Sequence, residues 1–281
     1  MQPIDELPYL LKLLDDEDPV VSQKVEERFA ILEGDISREL ATLGIEVVSE
    51  QRRRLSHLLA PGRRRQIRRE WQVPLHGLDA PSGDWTSFEF LLRLLCELLH
   101  DGTTMRDPLP DALDQVADQA VLQEAHLDET SLCEFLFGTG RFGPNSQGFY
   151  QPENADLLWI LTHRRGNPIG LAVVAMLVAH RLDLCITGCN FPGHFLAWIG
   201  EGDEALLVDC YHRGRLISLN ELRTSTGVLS PAASAAIRQP CSLRTILVRI
   251  LANLHHSFSQ AQAGEDADLI QELLESLQTA E

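Results

Sequence analysis

The sequence predicts an α+β fold: a central buried helix packed on a small antiparallel sheet, with helical modules at both ends. Three observations carry this. Residues 167–182 (NPIGLAVVAMLVAHRL) open with helix-start grammar and stay apolar on every side, as an enclosed helix does. Residues 184–209 follow as short β-rich runs broken by Gly-containing turns. On both flanks Leu, Val and Phe recur at helical spacing between Gly, Pro and Asp breaks.

Taken in order, Ile4, Leu7, Leu10, Leu11 and Leu14 form a stripe whose helix is expected to begin at Pro8. Asp18-Pro19 opens a second helix that stops at Gly34, and residues 35–43 form a third, closed by Gly44. These short helices suggest a HEAT-like amino-terminal module over 1–75. Pro61-Gly62 and Pro74 to Pro81 read as punctuation, the second marking the boundary of a core over 76–230. Thr86 with Glu89, and Ser131 with Glu134, have capping-box spacing before apolar helices, with another helix over 111–127 between them. Residues 138–154 form a long Gly/Asn-rich loop, expected to end where Asn154 caps a helix through His163.

Asn167 is placed to cap the central helix and Pro168 to start it, since the first helical position has no use for an N–H. Through Leu182 the helix spans about 22 Å at 1.5 Å per residue. Strands follow at 184–189, 194–199 and 205–209, the last two as a hairpin about Gly200-Glu201-Gly202-Asp203. That four-residue turn sets His194 opposite Asp209; a one-residue slip sets it opposite Cys210 or Val208. A carboxylate beside an imidazole fixes its tautomer, which is the orienting half of a nucleophile–His–Asp triad. A last strand at 214–218, a turn of helix capped by Ser218, a linker at 230–240 and a helical pair over 240–281 complete the chain.

Phe142-Gly143, Tyr150, Asn154, Leu157, the R-x-G-x-P-I-x-L run from Arg164 to Leu171, P-G-H-F from Pro192 to Phe195, Val208-Asp209 and Gly214 together resemble the SirB-type, transglutaminase-like family of bacteria. The resemblance implies a papain/transglutaminase-like core and a tetratricopeptide-like tail, here reduced to one helical pair. It also implies a Cys at the amino end of the central helix, with His and Asp on adjacent strands. His194 and Asp209 take the last two roles, but the nucleophile position falls at or within a residue of Pro168, which has nothing to ionise. Tyr150, Asn154, Arg165, Asn167 and Cys189 are assigned to the cleft or its supporting structure, and the 138–154 loop is the natural lid.

The charge balance narrows the partners. With 24 basic against 41 acidic residues the chain carries −17, which disfavours nucleic acid and anionic membrane. The local exception is Arg52 to Arg69, which reads either as a docking patch for an acidic partner or nucleic acid or, in preference, as two solvated helix faces neutralising acidic neighbours. The longest apolar run, Ile169 to Ala179, is short of the roughly 20 residues that cross a bilayer. An acidic amino terminus without a basic leader leads us to expect a cytoplasmic location. The six cysteines lack paired C-x-x-C spacing, so they are expected to be core thiols with no metal site and no cofactor. The sequence therefore points to a transglutaminase-like protein that binds a protein or peptide segment without acyl transfer. The competing expectation is a cysteine-protease, amidase or transglutaminase-type enzyme with a different nucleophile.

Overall fold

The computed structural model describes residues 3–80, 83–148, 151–225 and 229–279. The chain forms two compact units, one from residues 1–71 and 97–107, the other from 72–96 and 108–281. These limits differ from the three consecutive stretches read from the sequence. Residues 97–107 belong with the amino-terminal unit, and the carboxy-terminal pair belongs with the core.

The first unit contains α1 (Pro3–Lys12), α2 (Pro19–Ala30), α3 (Ser37–Leu43) and α4 (Ser49–Glu70). Leu7, Leu14, Val25, Phe29, Leu40, Leu55 and Leu59 form its buried core. Asp18 caps α2 through the Val20 N–H at 2.8 Å, and Gly44, at φ 63°, ends α3. Two proline readings need correction. Pro8 lies inside α1, and Pro61-Gly62 lies inside a continuous 22-residue α4. Gly62 is there for close approach: an added Cβ would sit 2.4 Å from the Leu32 carbonyl oxygen. Arg63 ties the same place together, donating from Nη2 to the Ser56 carbonyl at 2.8 Å and from Nη1 to that of Gly34 at 3.3 Å.

The second unit is built around a meander of four antiparallel strands that neighbour one another in sequence order. Its elements begin with α5 (Trp85–Leu99), whose last residues count with the first unit, and α6 (Leu109–Leu122). Next come α7 (Glu129–Cys133), running into a single π-helical turn, β1 (Gly143–Pro144), α8 (Leu157–His163) and β2 (Arg165–Gly166). Then follow α9 (Pro168–Arg181), β3 (Ile186–Cys189), β4 (Leu196–Ile199), β5 (Leu206–Asp209) and β6 (Arg215–Ser218). The unit closes with α10 (Leu219–Ser225), α11 (Pro231–Ala236), α12 (Leu243–Gln260) and α13 (Gly264–Thr279).

As its all-round apolarity requires, α9 is buried from Pro168 to Ala179 and packs on β3 and β4 as well as α6 and α8. Asn167 caps it, its Oδ1 accepting the Gly170 N–H at 2.8 Å. Other caps sit upstream of the residues chosen from sequence. Asp84 accepts from Ser87 at 3.0 Å ahead of α5, and Asp128 from Ser131 at 2.8 Å ahead of α7. Aspartate two residues before Thr86 and three before Ser131 supplies the same kind of acceptor earlier in the chain. The stretch read as a linker contains α11, capped by Ser230, with Ala233 and Ile237 buried. Its small residues let it pack close without a large apolar stripe. At α10 the capping box is complete: Ser218 Oγ accepts from the Glu221 N–H at 3.0 Å, and Glu221 accepts from the Ser218 N–H at 3.1 Å.

Candidate functional site

His194 Nε2 lies 2.8 Å from Asp209 Oδ1. The pair meets by a different route from the one the sequence suggested. The β4–β5 register pairs Ala197 with Val208 and Ile199 with Leu206, because the connection runs from Gly200 to Ala205 and includes a 3-10 turn at Gly202–Glu204. This is two residues from the expected pairing, and a two-residue shift keeps every side chain on its original face. His194 itself precedes β4, at the end of a turn in which its N–H donates to the Phe191 carbonyl at 3.2 Å. Pro192 fits the second position of that turn, and Gly193, at φ 76°, supplies the positive φ of the third.

A third side chain joins them, which the sequence reading missed. After β5 the chain makes a 3-10 turn, Cys210–His212, capped by Asp209 through the His212 N–H at 3.1 Å. That turn brings His212 Nδ1 to 2.8 Å from Asp209 Oδ2, with the two imidazole centroids 5.5 Å apart. The available signal was the spacing in D-C-Y-H, where an aspartate caps its own next turn. Because an ionised carboxylate only accepts, it places a proton on His194 Nε2 and on His212 Nδ1. Neutral His194 then presents Nδ1 as a lone pair. Burial pushes the Asp209 pKa up, but hydrogen bonds from both histidines overcome this and hold it below the ordinary carboxylate value.

His194, Asp209 and His212 each offer one metal-ligand atom, all within 4.8 Å of one another. Both imidazole–carboxylate contacts have hydrogen-bond length, and whichever ring nitrogen bound a metal would have to be free of its proton. The donor set suits a divalent transition ion chemically, while the geometry is that of a hydrogen-bonded His–Asp–His cluster. No cysteine joins this group among the described residues.

What the cluster lacks is a nucleophile. Among the described residues, no thiol or hydroxyl lies within hydrogen-bonding reach of either nitrogen of His194. Burial pushes the thiols of Cys133 and Cys189 up to about 12 and that of Cys241 up to about 11, and it lifts Cys210 well above its usual value. Cys185 departs from the expectation of core thiols, since it is exposed beside β3. Among the described residues no cysteine begins an α-helix, where a dipole would stabilise a thiolate; Cys210 begins only the short 3-10 turn and is fully buried.

Pro168 is the first residue of α9, is buried, and lines a cavity of about 170 Å³. Gly193 and Phe195, either side of His194, line the same cavity, with Asn154 from the loop and Arg249 and Asn253 from α12. The loop that was expected to act as a lid is pinned in part. β1 pairs in parallel with β2, and Asn154 Nδ2 donates to the Gly148 carbonyl at 2.5 Å and that of Gln151 at 3.1 Å. Asn154 therefore staples the loop, while Asp156 caps α8 through the Trp159 N–H at 3.2 Å. Arg165 is exposed on β2, and Cys189 is buried with Sγ 3.4 Å from the Ala236 carbonyl, so neither reaches the cluster. Tyr150 lies outside the described residues.

A family model described as the transglutaminase-like superfamily matches residues 104–252, which include α9, the meander and the His–Asp pair. The chain belongs to the transglutaminase-like superfamily. It is 37% identical over 147 residues to a UPF0162 protein of Xylella fastidiosa (strain 9a5c), covering 50% of this chain and 52% of that one. Identity is 35% over 127 residues to the UPF0162 protein PA3419 of Pseudomonas aeruginosa, covering 44% and 47%. It is 23% over 175 residues to F-box only protein 21 of Mus musculus, covering 58% and 27%. The chain thus spans about half the length, or less, of the curated relatives it matches. No solved structure matches it. No helix among the described residues is long and apolar enough to cross a membrane.

Proposed function

We propose that this transglutaminase-like protein, of the SirB type, is a cytoplasmic binding or regulatory module that holds a peptide or protein segment in its cleft and performs no acyl transfer. One observation carries the reading: buried Pro168 starts the central helix, and among the described residues no thiol or hydroxyl stands within hydrogen-bonding reach of His194. Proline has neither a nucleophilic atom nor an N–H of its own for an oxyanion, so position 168 offers shape alone. His194 and Asp209 then act as remnants of a Cys-His-Asp triad and brace the 191–194 turn against β5, with Gly193 and Phe195 on either side of His194 forming cavity wall.

The intact 2.8 Å dyad favours one competing reading, a protease, amidase or transglutaminase-type enzyme in which His194 activates water or a group brought by the substrate. The two separate by assay. Amine incorporation into a glutamine peptide and hydrolysis of peptide amides should stay at the buffer rate for the native protein and for His194→Ala alike. Turnover that disappears in His194→Ala would establish the enzyme.

A further inference from the structure

The cavity beside Pro168 contains a cation whose partners are all neutral. Arg249 is half-buried on α12, and its Nη1 donates to the Asn190 side-chain oxygen at 2.5 Å and to the Phe191 carbonyl at 3.3 Å. Among the described residues no carboxylate pairs with it. Two other poorly exposed arginines of the same unit are neutralised. Arg181 holds Glu89 at 2.7 Å and Asp114 at 2.5 Å, and Arg244 holds Asp79. A guanidinium stays charged under all ordinary conditions, and a poorly solvated charge costs free energy until a counter-ion arrives. In a chain with 41 acidic residues, leaving this one without a carboxylate is informative.

Its placement says where a counter-ion would come from. The two contacts of Nη1 fix the fork against the 190–191 segment, leaving the Nη2 and Nε donors for a second, planar acceptor. Asn253 follows one helical turn on and lines the same cavity, while Ile250 and Leu254 supply apolar wall. The pocket combines one cationic fork with the imidazole of His256, several side-chain amides, Asn253 among them, and apolar sides, which suits a carboxylate at the end of a short stem.

Building on the peptide-holding reading, we propose that this cavity takes a peptide carboxylate with Arg249 as its counter-ion. The carboxylate is either a chain terminus or an Asp/Glu side chain; both present the same two oxygens. Three peptides separate the sources: Ac-Gly-Leu-Gly with a free carboxyl end, amidated Ac-Gly-Glu-Gly, and the neutral amidated Ac-Gly-Gln-Gly. Titrated into the full chain and followed by backbone-amide NMR shifts around the cavity, at least one carboxylate peptide should bind tenfold or more tighter than the neutral one. The tighter of the two acids identifies the source. Arg249→Gln should abolish the preference and Arg249→Lys should keep part of it, with thermal unfolding confirming that each variant folds. The wild-type comparison decides by itself if Arg249→Gln does not fold. Equal binding of neutral and acidic peptides, or a preference that survives Arg249→Gln, overturns the assignment while leaving a peptide cleft standing. If no peptide of any charge shifts those amides, both readings fall.

Discussion

Asp209 is shared: its Oδ1 lies 2.8 Å from His194 Nε2 and its Oδ2 2.8 Å from His212 Nδ1, although neither histidine is its cross-strand partner. The carboxylate therefore anchors both the turn before β4 and the turn after β5. Replacing it by an amide of the same shape, Asp209→Asn, leaves His212 and His194 competing for one acceptor. Loss of hydrogen bonds to a charged group should cost about 1.5–3 kcal/mol at pH 7 in urea unfolding. The sign of the pH dependence follows from the lowered folded-state pKa. The wild-type advantage is full above the unfolded aspartate value of about 3.9 and fades as pH falls through the lower folded value. A wild-type advantage that grows on acidification contradicts this assignment.

Much of this site was legible in the sequence, and particular residues show why the rest was not. Asn167-Pro168 and the apolar run fixed α9 because capping and burial there agree with one another. His194 and Asp209 survived an error in loop length because a two-residue shift keeps their shared face. His212 escaped notice because its position depends on a 3-10 turn with no hydrophobic period. Arg249 escaped because what marks it is the want of a carboxylate partner among the described residues, which no local pattern encodes. Pro8 and Pro61 misled for one reason: each is tolerated mid-helix by surrounding packing that local propensity does not encode.

Thiol chemistry gives an independent check. Burial raises Cys133, Cys189, Cys210 and Cys241, whereas Cys185 is exposed. Iodoacetamide at pH 7.5, read by peptide mass spectrometry, should label Cys185 first, half-buried Cys241 more slowly, and buried Cys96, Cys133, Cys189 and Cys210 only on unfolding. His194→Ala should change no rate. Rapid labelling of a buried cysteine that slows in His194→Ala indicates a working nucleophile.

The cap of α9 should be worth more than an exposed one, because Asn167 is buried and its loss strands the Gly170 N–H. Asn167→Ala should destabilise by about 1–2 kcal/mol. Asn167→Asp keeps the acceptor and adds favourable charge at the helix start, so it should fall within about 1 kcal/mol of wild type. Equal thermal midpoints for Asn167→Ala and wild type would remove the cap from the account.

In the amino-terminal unit, Gly62→Ala puts a methyl group 2.4 Å from the Leu32 carbonyl and 2.9 Å from the Gly34 nitrogen, both backbone atoms. Overpacking of this kind costs about 1–3 kcal/mol, despite alanine's better helix propensity. A stabilised Gly62→Ala protein would show that α4 does not pass this close to residues 32–34.

The central claim is that the start of α9 presents no attacking atom to a His–Asp pair that is otherwise in place. It is tested by treating native protein, Pro168→Cys, and Pro168→Cys combined with His194→Ala with a peptide bearing a thiol-reactive electrophile, and locating any adduct by mass spectrometry. The account predicts no adduct in the cleft of the native protein, labelling at residue 168 in Pro168→Cys, and at least tenfold slower labelling there once His194 is removed. Labelling of the native protein in its cleft, dependent on His194, would contradict it.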